Sequence, residues 1–148
     1  MSISKATKSV YLAAALGLLL AGPGCIGNKE ADCGTGDTCI CDGIGNCSYD
    51  CEGGGCIFVC NGIGNCEFTC PDGGCTASAS ANGTGTVDLD CQAGGCDLTS
   101  NGQGTSTLTC PGGDCDMTCN STGSCNLYDC PAGTCTFICT GTGTCNEY

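Results

Sequence analysis

Twenty-one of the 148 residues are cysteine and none is histidine. Sulfur at that density ligates a soft metal, bridges, or carries an attached group. Thiolate metal stores space their cysteines as C-x-C and C-x-x-C among many lysines. Here Cys39/Cys41 is the lone C-x-C, and the whole chain holds three basic residues. Metal storage is therefore set aside, and bridging is the chemistry to test.

The linkers between cysteines show which ones pair. Six links are of the N-G-x-G kind, flanked by Cys41/Cys47, Cys60/Cys66, Ala81/Val87, Ser100/Ser106, Cys119/Cys125 and Cys139/Cys145. Four of these pairs are both cysteine, two are neither, and none is mixed. Joint presence and joint loss mark direct partners, because an orphaned thiol is a liability in an oxidising compartment. (Ala79 in place of Ala81 leaves this unchanged.) Shorter links of the P-D-G-G kind pair Cys51 with Cys56, Cys70 with Cys75, Cys91 with Cys96, Cys110 with Cys115 and Cys130 with Cys135. Cys33 and Cys39 have the spacing of the first kind. Ten bridges use twenty cysteines and leave Cys25.

Other candidate chemistry is sparse. The nearest oxygen-ligand set is Asp97, Asp114 and Asp116, of which Asp97 and Asp116 fall on one outward column of adjacent repeats. With loop carbonyls they would suit calcium. A solvated acidic face explains them more simply, so no metal and no cofactor is assigned. With no histidine and the thiols used in pairs, no nucleophile–base set exists, and no enzymatic activity is expected. Three N-x-S/T triplets, at Asn46, Asn82 and Asn120, matter only in a source that glycosylates.

The elements that position these cysteines follow from the stretch Cys51–Cys75. Cys56-I-F-V-Cys60 and Cys66-E-F-T-Cys70 both read cysteine-x-apolar-x-cysteine, the period of two of a strand with one buried face. The pattern returns after 19 residues, from Cys51 to Cys70. Inward triplets include Cys47/Tyr49/Cys51, Cys75/Ala77/Ala79, Val87/Leu89/Cys91, Cys96/Leu98/Ser100, Ser106/Leu108/Cys110 and Cys115/Met117/Cys119. Cys125-N-L-Y-D-Cys130 carries one extra residue, expected as a bulge. Two extra residues near Ser80-Ala81 are expected as a longer loop.

Two short strands and two tight turns per 19 residues make one lap of a flattened coil. Stacked laps give an all-β, parallel β-solenoid stapled by disulfides. Residues 39–148 are expected to form it, in about five and a half coils and, at roughly 4.8 Å per coil, on the order of 26 Å long. Knottin-like modules would not repeat so evenly. Disulfides need Cα atoms about 5.5–6 Å apart while facing sheets lie about 10 Å apart, so the coil must pinch at its ends. Each short closure is worth roughly 2–3 kcal/mol in the chain-entropy model.

The chain begins differently. Lys5 and Lys8 precede an apolar run, Val10–Ala21, too short to span a bilayer as a mature helix. Ala21-Gly22-Pro23-Gly24-Cys25 follows. This resembles a bacterial lipoprotein signal, with Gly22 where that family usually carries leucine and Leu20 two residues further back. The resemblance implies a signal peptide over 1–24, lipid on Cys25, a tether over 25–38, and display at the outer membrane or cell surface; without lipid the protein would be secreted. It also accounts for the unpaired cysteine. After the leader, Lys29 is the one basic residue facing 15 acids, a side-chain charge of −14. Such a chain cannot neutralise phosphates, which excludes nucleic acid. Its attachment to a membrane must come through the N-terminal lipid.

Two resemblances cover the repeat region. Inward cysteine alternating with outward Thr or Ser resembles the beetle antifreeze β-helices. Asn61-G-I-G-N-Cys66-E-F-Thr69 resembles the RTX nonapeptide, with Cys66 where that repeat has its calcium-binding aspartate. The second implies a turn clipped by sulfur instead of calcium. The first raises ice binding, which needs a flat array of outward Thr. Thr107/Thr109 fits and Thr76/Ser78 fits in part, whereas Asp88/Asp90, Asp97/Thr99 and Ser48/Asp50 do not. The expected function is a rigid acidic surface element: a spacer, adhesin or envelope component whose protein or surface partner the residues do not name. The alternative is a ligand-binding face for calcium or ice.

Intact mass checks both covalent readings. Alkylation should add 20 groups only after reduction, and the peptide carrying Cys25 should bear a lipid mass.

Overall fold

The computed structural model describes residues 25–26, 28–80 and 83–148. The leader read over 1–24, and Ala81 and Asn82, lie outside them. The chain forms β1 (Cys25–Ile26), β2 (Lys29–Asp32), β3 (Thr38–Cys41), β4 (Gly43–Ile44), β5 (Cys47–Asp50), β6 (Ile57–Cys60), β7 (Cys66–Thr69) and β8 (Thr76–Ala79). It continues with β9 (Val87–Asp90), β10 (Asp97–Ser100), β11 (Ser106–Thr109), β12 (Asp116–Cys119), β13 (Ser124–Tyr128), β14 (Thr136–Cys139) and β15 (Thr144–Glu147).

Alternate strands go to opposite sheets. A six-stranded sheet runs β3-β6-β8-β10-β12-β14 and a seven-stranded sheet runs β2-β5-β7-β9-β11-β13-β15. Every pairing is parallel and in register, as a β-solenoid requires: Phe58 pairs with Ala77, Leu98 with Met117, Phe68 with Leu89, Leu108 with Leu127. At about 4.8 Å per rung, seven rungs span roughly 29 Å.

Between the sheets lies one thin core. Phe58, Phe68, Leu89, Leu98, Leu108, Met117 and Leu127 are fully buried along its middle. Phe58 and Phe68 stack across it with ring centroids 4.5 Å apart. The Tyr49 hydroxyl donates to the Ile40 carbonyl oxygen (3.2 Å), so its polar tip is satisfied at the edge of the core.

The corners stack as closely as the strands. The Gly55, Gly74 and Gly95 amides donate to the Gly73, Gly94 and Gly113 carbonyls of the next lap, at 3.1, 3.0 and 2.9 Å. Gly54 has φ +70°, and a Cβ there would sit 2.5 Å from the Gly73 oxygen. Both the left-handed conformation and the close approach require glycine.

Three expectations change. The coil starts before residue 39: Lys29–Asp32 pairs in register with Cys47–Asp50, so part of the expected tether is a strand of the first rung. This segment lacks apolar alternation and is held by backbone pairing onto β5. The extra residue before Cys130 is not a bulge inside a strand. β13 keeps register with both β11 and β15, and Asp129 absorbs the residue with a φ of 57°. As a result Tyr128 continues the column of Asp50, Thr69, Asp90 and Thr109. Finally, Ala79 rather than Ala81 shares the column of Cys60 and Ser100, because the two-residue insertion falls after β8.

Candidate functional site

Ten disulfides line the two narrow corners. One corner holds an unbroken column: Cys33–Cys39, Cys51–Cys56, Cys70–Cys75, Cys91–Cys96, Cys110–Cys115 and Cys130–Cys135. The other holds Cys41–Cys47, Cys60–Cys66, Cys119–Cys125 and Cys139–Cys145. Cα separations run from 5.9 to 6.5 Å, so the coil does pinch where sulfur closes it. Each bridge joins residues five or six apart in the chain.

The second column has a gap of two laps. In one, Ser100 and Ser106 occupy the cystine position, both buried, and the Ser106 hydroxyl donates to that of Ser100 at 2.8 Å. The hydrogen bond replaces the covalent bond in kind and place. In the lap before, Ala79 and Val87, both buried, occupy the cystine positions. A small cavity of about 10 Å³ remains, lined by Cys60, Ala79, Val87, Ser106 and the corner glycines. Their joint departure from cysteine was readable in the sequence; what fills the space was not.

The outward faces differ in charge. On the seven-stranded sheet one column reads Glu30, Ser48, Glu67, Asp88, Thr107, Asn126, Asn146, and its neighbour reads Asp32, Asp50, Thr69, Asp90, Thr109, Tyr128. Over β2, β5, β7 and β9, six of the eight outward residues are acidic. An open groove of about 320 Å³ lies there, lined by Asn28, Glu30, Asn46, Ser48 and Glu67 among others. Further along, the Asn146 amide donates to the Asn126 side-chain oxygen (2.9 Å), and Tyr148 stacks on Tyr128 with centroids 4.6 Å apart.

On the six-stranded sheet the columns read Thr38, Ile57, Thr76, Asp97, Asp116, Thr136 and Ile40, Val59, Ser78, Thr99, Thr118, Ile138. Ten of these twelve residues are Thr, Ser, Ile or Val. Thr107 and Thr109, which suited a threonine array in sequence, belong to the other sheet beside Asp88 and Asp90.

Asp97 and Asp116 are direct partners, as their column predicts. Asp114 stands two residues earlier, at a corner position with φ 55° where three preceding laps carry Gly55, Gly74 and Gly95. The three carboxylates do not converge. Among the described residues, the groups of three or more ligand atoms within 4.8 Å of one another are cysteine sulfurs: Cys41/Cys60/Cys66, Cys51/Cys70/Cys75 and Cys119/Cys139/Cys145. All nine are already joined in disulfides.

Comparison with models of protein families, with curated proteins and with solved structures gives no match to the chain. The fold and its corners define a class on their own terms: a disulfide-stapled parallel β-solenoid with one acidic and one predominantly uncharged face.

The serine pair gives a direct test. Ser100→Ala leaves the buried Ser106 hydroxyl unpartnered and should cost about 1–3 kcal/mol in denaturant unfolding. The double change Ser100→Cys with Ser106→Cys should form an eleventh bridge and stabilise by roughly 2 kcal/mol. Free thiols in the double variant would contradict the assigned geometry.

Proposed function

We propose that the protein is an exported, lipid-anchored, non-enzymatic spacer or scaffold that presents a rigid acidic surface at the outer membrane or cell surface. The observation that supports this most is the unbroken disulfide column along one corner, from Cys33–Cys39 to Cys130–Cys135. A rod closed by covalent bonds at every lap keeps its shape outside the cell, where it meets proteases and denaturing conditions without a deep apolar interior. Its anchor belongs at one end. Cys25, in β1, pairs with Gly43 of the early corner, while Tyr148 lies at the far end beside Tyr128. The carboxylates on the seven-stranded face discourage self-association and repel other anionic surfaces.

A second reading uses the six-stranded face as a ligand surface. Its regular Thr, Ser, Ile and Val columns favour ordered water or ice over an ion. The Asp97–Asp116 pair interrupts the array and is where calcium would be held among the described residues of that face.

Fractionation and titration separate these readings. Cys25→Ala should move the protein from the membrane fraction to the soluble fraction. Calorimetry with calcium and an ice-recrystallisation assay should both be silent. A micromolar calcium site, or growth inhibition of ice crystals, would replace the scaffold reading with the ligand-face reading.

A further inference from the structure

The exposed large apolar side chains are not scattered. Among the described residues they are Ile40, Ile44, Ile57, Ile63, Ile138 and Tyr148. Four of the six fall within the first two laps. Ile44 and Ile63 are register partners on the corner, 64% and 56% exposed. Ile40 and Ile57 lie on the adjoining six-stranded face, 46% and 45% exposed. Ile40 pairs with half-buried Val59. Together they form one patch that wraps from a sheet face around a corner. Soluble surfaces carry single exposed apolar residues routinely, but contiguous ones mark a contact.

The place of this patch indicates what covers it. Strand β1 is hydrogen-bonded to β4, with Cys25 opposite Gly43 and Ile26 opposite Ile44. The residue read as the lipid carrier thus lies on the same ladder as Ile44 and Ile63. In the lipid-anchoring reading Cys25 is the first residue of the mature chain, so the lipid leaves the coil directly from β1. An anchor leaving the coil here brings a bilayer against this corner before any other part of the rod. The charge distribution agrees: the acidic columns of β2, β5, β7 and β9 occupy the other sheet. Asp42, between Ile40 and Ile44 in the chain, is exposed at the rim.

We infer that Ile40, Ile44, Ile57, Val59 and Ile63 form a membrane-seating patch. They dock into the boundary between headgroups and acyl chains of the bilayer that holds the Cys25 lipid. The rod is then not loosely tethered. Its first two laps are seated, its acidic face is turned to water, and its Ile138 end is held away from the surface. Lipid holds the chain end at the bilayer without orienting the rod, and apolar side chains buried at the interface add both affinity and orientation. This inference rests on the lipid-anchoring reading.

The chain has no tryptophan, so single reporters are clean. The lipidated protein carrying Ile63→Trp, and separately Ile138→Trp, is reconstituted in phosphatidylcholine vesicles with and without doxyl-labelled lipid. Flotation is measured first, then emission. Both variants should float with the vesicles. The Ile63→Trp protein should emit at shorter wavelength and lose intensity with doxyl lipid, and the Ile138→Trp protein should do neither. Floating protein with equal emission and quenching at both positions overturns the seating patch while leaving the anchor intact. Protein that stays with the soluble fraction overturns the anchor and the patch together.

Discussion

Closure of each lap by sulfur at a pinched corner is the constraint on which the other features depend. Burial in this molecule is one side chain deep. A layer of Phe58, Phe68, Leu89, Leu98, Leu108, Met117 and Leu127 separates the sheets, and no second layer supports it. So thin a core leaves little hydrophobic surplus against the backbone entropy of a glycine-rich chain. A bridge between residues five or six apart removes part of that entropy from the unfolded chain, and it does so once or twice per lap. The glycine corners are the complement of the bridges. With cystine holding the strands about 6 Å apart at their ends, the connecting link must reverse tightly and still stack on its neighbour. Positive φ and the absence of Cβ make that geometry available.

Parallel register then converts a one-dimensional repeat into two surfaces. Because successive strands alternate between sheets, an outward residue meets its neighbour from a full lap away, not from the adjacent strand. Glu67 lies beside Asp88, and Thr99 beside Thr118. Small compositional biases in the two strand types are thereby separated into an acidic face and a face of Thr, Ser, Ile and Val. The same arithmetic gathers Ile44 and Ile63 into neighbours and brings β1 alongside them.

Much of this was legible in the residues. Inward cysteine at i and i+4 around an apolar i+2 fixed the strands, and the linkers flanked by two cysteines or by none indicated the partners. What escaped had weaker local signals. Lys-Glu-Ala-Asp over 29–32 has no apolar alternation, and its strand exists because β5 offers an unpaired edge. Asp129 takes a left-handed conformation, one that aspartate adopts more readily than most residues, but nothing in the local pattern marked that position instead of a strand bulge. A two-residue insertion hid whether Ala79 or Ala81 stood opposite Val87. Ser100 and Ser106 showed that two cysteines were missing, but not that two hydroxyls had taken over their contact. Asp97, Asp114 and Asp116 show a related limit: adjacency in sequence and column does not bring carboxylates to one point when one of them sits on a corner.

Far-UV circular dichroism before and after complete reduction and alkylation in native buffer tests the central claim most directly. If corner closure by sulfur holds the coil, the strand signal collapses once the twenty bridged cysteines are capped. An unchanged strand spectrum in the fully alkylated protein would show that the sheets and glycine corners suffice without it.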